Sequence, residues 1–363
     1  MSRRLRETRA RSVIIVSLLA LSLVSLTACS GSNNNGSSSN TGEESVPTSD
    51  YSKPVQLVNA VTDGTAELFR SIDDAFVQDW KDRTGQTATI ELAVGESSAQ
   101  GKAIGDGQLQ ADFVASGVGI DIDALQALGK IGEGWQQRYD YNSSPFETAV
   151  AFVVRTGNPK AIAEWSDLVD SDAQVVVANP SDYTDARWYY AAPWAYSLDR
   201  SPEDQDAARA FVTRFHERVS VLAHDDEAAK AAFLSDNKGD LWVTTESNAL
   251  RVANGEGKGK IEVVVPSVTL AVEPIISVVD ANADARGTRE AANGYADFLF
   301  TEKAQTLAAE NYYRPRFASV TEQFVERFPE VTLLTVDDNL TGWEDLQAAL
   351  FADGGLYGQP PAK

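Results

Sequence analysis

The chain has 363 residues, 43% of them hydrophobic, and a formal net charge of −22. That length and apolar share can bury a sizeable core and favour two domains over one. The acidic balance argues against nucleic acid or an anionic lipid surface as a partner, and a single Cys excludes an intrachain disulfide.

Five arginines, Arg3, Arg4, Arg6, Arg9 and Arg11, precede the apolar run Val13–Leu26. The run is too short for a comfortable membrane span and fits the core of a signal peptide occupying residues 1–28. Removing those residues, which carry five Arg and one Glu, takes the charge from −22 to −26. Leu26-Thr27-Ala28-Cys29 follows and resembles the lipobox of bacterial prolipoproteins, which makes Cys29 the expected lipid anchor. Ser30–Lys53, with SGSNNNGSSSNTGEES, has too few apolar groups to offset the entropy of ordering. Residues 29–53 therefore read as a lipidated flexible tether, reaching on the order of 25 to 30 Å.

The folded part is predicted from Pro54. Val55–Ala60 reads as a strand, and Thr65 to about Arg83 as a helix whose Leu68, Ile72, Phe76 and Trp80 share one face and which Gly85 stops. Thr87–Ala93 and Ala111–Ser116 are further strands, with a helical segment from Ser98 to Gly107 between them. This alternation predicts an α/β domain with a mostly parallel sheet and its ligand site beyond the strands' carboxyl ends. Phe146–Arg155, FETAVAFVVR, leads outward into a second alternating region that lasts to about Lys260. Ile261–Val268 and Thr269–Asp280 form the return, bent at Pro274, and Thr288–Asn311 is predicted as one helix with Ala292, Tyr295, Phe298, Leu299, Ala304 and Leu307 apolar. Two crossovers imply two lobes, 54–145 with 269–363 and 146–268, hinged about a cleft that is the default ligand site.

NAVTDGTAELF, SSPFETAVAFVVRTGNP, ANPSDYTDARWYYAAPWAYSL, LAVEPIISVVD, GTREAANGYADFLF and AAENYYRPR together resemble the sulfate/thiosulfate-binding proteins, extracytoplasmic receptors of ABC importers. The resemblance covers nearly all of Pro54–Gly355. It implies a two-lobed periplasmic-binding-protein type II fold with two crossover strands as hinge, no catalysis, no cofactor and no metal. The implied partners are a small-molecule or ion ligand, the permease subunits of an importer and, through Cys29, the membrane. The chain is expected to be a monomer on the extracytoplasmic face.

The family holds dianionic sulfate with backbone N–H groups at helix N-termini and neutral side-chain donors, an arrangement in keeping with the field of a helix end. Asp63 and Ser97 match its ligand positions. Tyr183, Thr184 and Asp185 stand where the family has Ser-Gly-Gly before Ala-Arg-Trp, Asp226 falls on an amide-donating alanine, and Thr245 replaces a tryptophan. These seven residues are the expected ligand-binding set.

The departures are acidic. Asp185, Asp225, Asp226 and Glu227, with Glu96 nearby, suit a cation, an amine or a ligand with hydroxyl protons, and a protonated oxyanion such as hydrogen phosphate can use one carboxylate. Asp182 or Asp185, and Asp225 or Asp226, also stand where helix caps are expected. From a different class, Gly95-Glu96-Ser97-Ser98-Ala99 superficially resembles a nucleophile elbow, with His216 or His224 as base, which is the pattern of an exported serine hydrolase.

Overall fold

A strand that is apolar on both faces must be covered on both faces, and the first strand among the described residues meets that condition. The computed structural model describes residues 50–353 and 355–357; the expected signal peptide, Cys29 and the part of the expected tether up to residue 49 lie outside the described residues. The described strands are β1 Val55–Thr62, β2 Ala88–Gly95, β3 Phe113–Ser116, β4 Phe146–Arg155, β5 Val175–Ala178, β6 Val219–Ala223, β7 Leu241–Thr245, β8 Ile261–Val264, β9 Val268–Val272, β10 Ile275–Val278, β11 Arg314–Pro315 and β12 Thr332–Leu334. In β1, Leu57 and Val61 pack into one core cluster and Val58 and Ala60 into another. This lobe is therefore three-layered, a sheet between two coats of helix.

Its sheet has the order β10-β3-β1-β2, parallel except that β10 runs antiparallel to β3. The second sheet follows β12-β9-β4-β7-β5-β6, with β8 and β11 also paired to β4. Here β5, β6 and β7 are parallel, but β4 is antiparallel to β7, β8, β9 and β11. The second sheet is mixed because β4 enters that lobe as a crossover from the first, against the direction of the strands wound there, and the first sheet is mixed through the returning β10.

Helix Ala66–Thr84 buries Leu68, Ile72, Phe76 and Trp80 as their spacing predicts, and Gly85 ends it at φ 76°, its N–H bonded to the carbonyl of Lys81. The predicted helix 288–311 is instead two, Arg289–Phe298 and Glu302–Glu310. Thr301 separates them, its hydroxyl capping the second by accepting from Ala304 N at 3.3 Å. The return crossover is three strands, β8 to β10, interrupted before and after β9 at Pro266 and Pro274.

Two boundaries differ from the sequence reading. Asp50–Lys53, expected as tether, form a turn on the first lobe, with Tyr51 against Trp80 at a ring separation of 6.2 Å and its hydroxyl donating to Glu290. The C-terminal part of 269–363, expected in the first lobe, packs with the second. β12 pairs with β9, and helix Trp343–Leu350 buries Trp343, Leu346 and Leu350 in the cluster that holds Trp188 and Phe152. Trp343 and Trp188 meet edge to face, centroids 4.6 Å apart at 88°. An apolar stripe at helical spacing needs a cover, and helix Arg187–Arg200 supplies it.

Candidate functional site

The strands of both lobes end at one cleft of about 500 Å³. Asp63 reaches it from the turn between β1 and helix Ala66–Thr84, and Glu96 from the N-cap of helix Ser97–Gly105. Asp185 enters from the turn before helix Arg187–Arg200, Asp225 and Asp226 from the start of helix Asp226–Leu234, and Thr245 from the N-cap of helix Glu246–Asn254. Five helix starts thus open on one space, and each brings partial positive charge.

The lobes touch along this cleft. Trp188 Nε1 donates to the carbonyl of Gly117 at 2.8 Å, Thr184 N donates to Glu96 Oε1 at 3.2 Å, and the hydroxyls of Thr184 and Ser98 are 2.9 Å apart. Glycine at 117 leaves room for the Asp185 carboxyl, because a Cβ there would stand 1.8 Å from Asp185 Oδ1 and push that side chain aside.

Of the expected ligand set, Asp63, Tyr183, Asp185, Asp226 and Thr245 line the cleft. Ser97 and Thr184 sit at its edge in other work. Ser97 Oγ contacts Ser116 Oγ at 2.8 Å, donates to Asp121 Oδ2 at 2.6 Å and accepts from Gly117 N at 3.0 Å. Thr245 caps its helix, accepting from Asn248 N at 3.3 Å. The elbow-and-base arrangement is not assembled: His216 pairs with Tyr190 at 3.3 Å and His224 lies 3.8 Å from Asp182.

The two capping questions resolve differently. Asp225 caps, accepting from Ala228 N at 2.7 Å, whereas Asp226 turns inward to accept from Tyr189 Oη and, at 3.3 Å, from Thr244 Oγ1. Asp185 does not cap either; its Oδ2 has only a long contact of 3.5 Å from Tyr183 Oη. The remaining oxygens, Asp185 Oδ1 and Asp226 Oδ1, are buried without a hydrogen-bond partner among the described residues. Burial pushes the Asp185 carboxyl up to about 7, helped by Asp226 and Glu96. Burial does the same to Asp226, also to about 7, against the opposing hydrogen bonds of Tyr189 and Thr244. Asp63 is raised by burial, then by Asp225 and Glu96.

Sequence reasoning missed Arg251, which lines the cleft from helix Glu246–Asn254 and whose Nη2 is likewise buried without a partner. It missed Tyr313 as well, which completes a wall with Trp188 and Tyr189, two aromatic residues whose loop-to-helix context does read as core or cleft wall. Arg251 stands six residues beyond Thr245, nearly two turns along its helix, where no local motif marks it. No group of three or more His, Cys, Asp or Glu side chains among the described residues is arranged to hold a metal ion.

Residues 57–314 match the family model of the bacterial extracellular solute-binding proteins. The chain is 37% identical over 312 residues to the sulfate-binding protein of Escherichia coli (strain K12), covering 86% of this chain and 94% of that one. It is 36% identical over 304 residues to the thiosulfate-binding protein of Pseudomonas aeruginosa, covering 84% and 91% of the two chains. Among solved structures, the sulfate-binding protein SubI of Mycobacterium tuberculosis H37Rv superposes with a TM-score of 0.71 at 26% identity, over 82% of this chain and all of that one. The fold is that of a periplasmic binding protein, and the chain belongs to the sulfate/thiosulfate-binding family of bacterial extracellular solute-binding proteins.

Proposed function

We propose that the protein is the lipid-anchored, extracytoplasmic receptor of an ABC importer and captures a tetrahedral oxyanion of the sulfate class between its lobes. The observation that carries this reading is the convergence of five helix starts on one interlobe cleft, with an unpaired Arg251 nitrogen in its wall. Closure of the lobes on the solute would present it to the permease, and only a ligand with unequal affinity for open and closed forms can drive that closure. Anchoring rests on Cys29 within Leu-Thr-Ala-Cys and on the polar tether behind it.

The carboxylates of Asp63, Glu96, Asp185, Asp225 and Asp226 favour a second reading, a cationic or proton-donating ligand in the same cleft. Thermal melting of the full chain in detergent separates the two, since a ligand that binds the folded state raises the midpoint by mass action. Sulfate, thiosulfate or phosphate should stabilise the chain at micromolar levels. Stabilisation by spermidine or putrescine, with none by the anions, would replace the first reading with the second.

A further inference from the structure

The cleft combines features that no single simple ion satisfies. Arg251 Nη2 is a buried donor in need of an acceptor, and Asp185 Oδ1 and Asp226 Oδ1 are buried oxygens in need of a hydrogen. A bare dianion suits the arginine and the helix starts but faces two carboxylates that repel it. An amine suits the carboxylates but meets an arginine and five positive helix ends. A metal ion lacks a ligand set among the described residues. An oxyanion with one acidic hydrogen in place serves both kinds of group, its bare oxygens at Arg251 and the helix starts and the hydrogen at one of the two aspartates.

We infer that Asp185 and Asp226 are specificity-determining residues through which the cleft admits a tetrahedral oxyanion only together with an acidic hydrogen. This inference rests on the oxyanion reading above and names what that site demands of its ligand. The hydrogen has two sources. Hydrogen phosphate brings its own and donates it to a carboxylate; sulfate has none at neutral pH, so a proton must be taken from solvent onto the aspartates. Above the pH at which the free aspartates already hold that proton, one net proton then enters with each sulfate and none with hydrogen phosphate.

The surroundings hold such a proton in place. Asp63, Glu96 and Asp121 face Asp185 from the first lobe, and Asp225 and Glu227 flank Asp226 in the second. Tyr183 and Tyr189, both raised well above their ordinary range, remain neutral donors to these carboxylates. Arg187 adjoins the Asp121 carboxyl, and Arg251 and His224 are the cationic or ionisable groups of the cleft wall. Negative neighbours outnumber positive ones around the pair, so the balance retains a proton near neutrality.

The test is isothermal titration of the full chain in detergent with sulfate and with inorganic phosphate from pH 5.5 to 8.5, in two buffers of different ionisation enthalpy. Sulfate affinity should fall about tenfold per pH unit above about pH 7 with uptake of about one proton, while phosphate affinity holds. Asp185→Asn and Asp226→Asn keep the side-chain shape but donate N–H at every pH, so they should flatten the sulfate profile and remove the preference for phosphate. Circular dichroism melting checks that each variant folds; if either does not, the proton count of the unaltered chain decides alone. Sulfate binding with no proton uptake and no pH dependence overturns this inference and leaves the proposed function standing. A folded chain that binds neither anion at any pH overturns the proposed function itself.

Discussion

Arg316 is the residue whose loss the hinge should feel most. Its guanidinium, 10% exposed, donates to Glu147 Oε2 on β4 at 2.5 Å and to Glu273 Oε1 between β9 and β10 at 2.7 Å, with Ser144 O a further acceptor at 3.3 Å. It therefore clamps the outgoing and returning crossovers together. Arg316→Ala would leave two carboxylates, 17% and 15% exposed, buried beside each other with no cation. Breaking a buried pair in this way costs about 3 to 5 kcal/mol. In a folded part of this size roughly 2 °C of melting temperature accompanies each kcal/mol, so a drop on the order of 6 to 10 °C is expected. Burial already outweighs Arg316 in setting Glu273, whose carboxyl lies above its ordinary value. Without the arginine the Glu273 carboxyl shifts further up, so its burial penalty is absent where it is protonated and grows as pH rises. Denaturant unfolding at pH 5 and pH 8 should thus show the larger loss at pH 8, and the combined Glu147→Gln, Glu273→Gln, Arg316→Met variant should regain most of it. A loss below about 1 kcal/mol, or one equal at the two pH values, would refute the clamp.

Asp73, 8% exposed, accepts from Tyr295 Oη at 2.5 Å, and burial lifts it from 3.8 to about 6. A raised carboxyl binds more protons folded than unfolded, so stability is fully present below pH 3.8 and falls by about 3 kcal/mol as pH rises through 6. Asp73→Asn should remove that slope, as urea midpoints between pH 4 and 7.5 would show. Trp343→Ala should cost about 3 to 5 kcal/mol and expose helix Trp343–Leu350 to limited proteolysis, because its edge contact with Trp188 is buried. Cys29→Ser should move the chain from the membrane to the soluble fraction, followed by fractionation and blotting; unchanged membrane partition would refute the anchor.

The fold was legible where one short-range signal dominates. β4 matches FETAVAFVVR residue for residue, and Gly85 ends its helix, because an unbroken apolar run and a glycine at positive φ need no distant partner to act. The helix 288–311 was misread because apolar spacing runs across Thr301, and a cap that interrupts a periodic pattern leaves the pattern intact. The C-terminal segment was misplaced because Trp343, Leu346 and Leu350 state that they want a cover but not whose. In the site, the family resemblance located Asp63, Asp185, Asp226 and Thr245 at one cleft. It did not reveal that Asp225 caps while Asp226 turns inward, since adjacent residues at a helix start share every sequence cue and differ only in direction. Arg251 escaped notice for a related reason: helical spacing alone does not tell a cleft-facing arginine from a solvated one.

β4 is the strand on which β7, β8, β9 and β11 all pair. It cannot open at one seam without loosening four segments that lie between Leu241 and Pro315, so its amides from Ala149 to Val154 should be the slowest in the protein to exchange with deuterium. If the lobes swing in capture and release, as the proposed function requires, the strand on which they turn is the part least free to unravel.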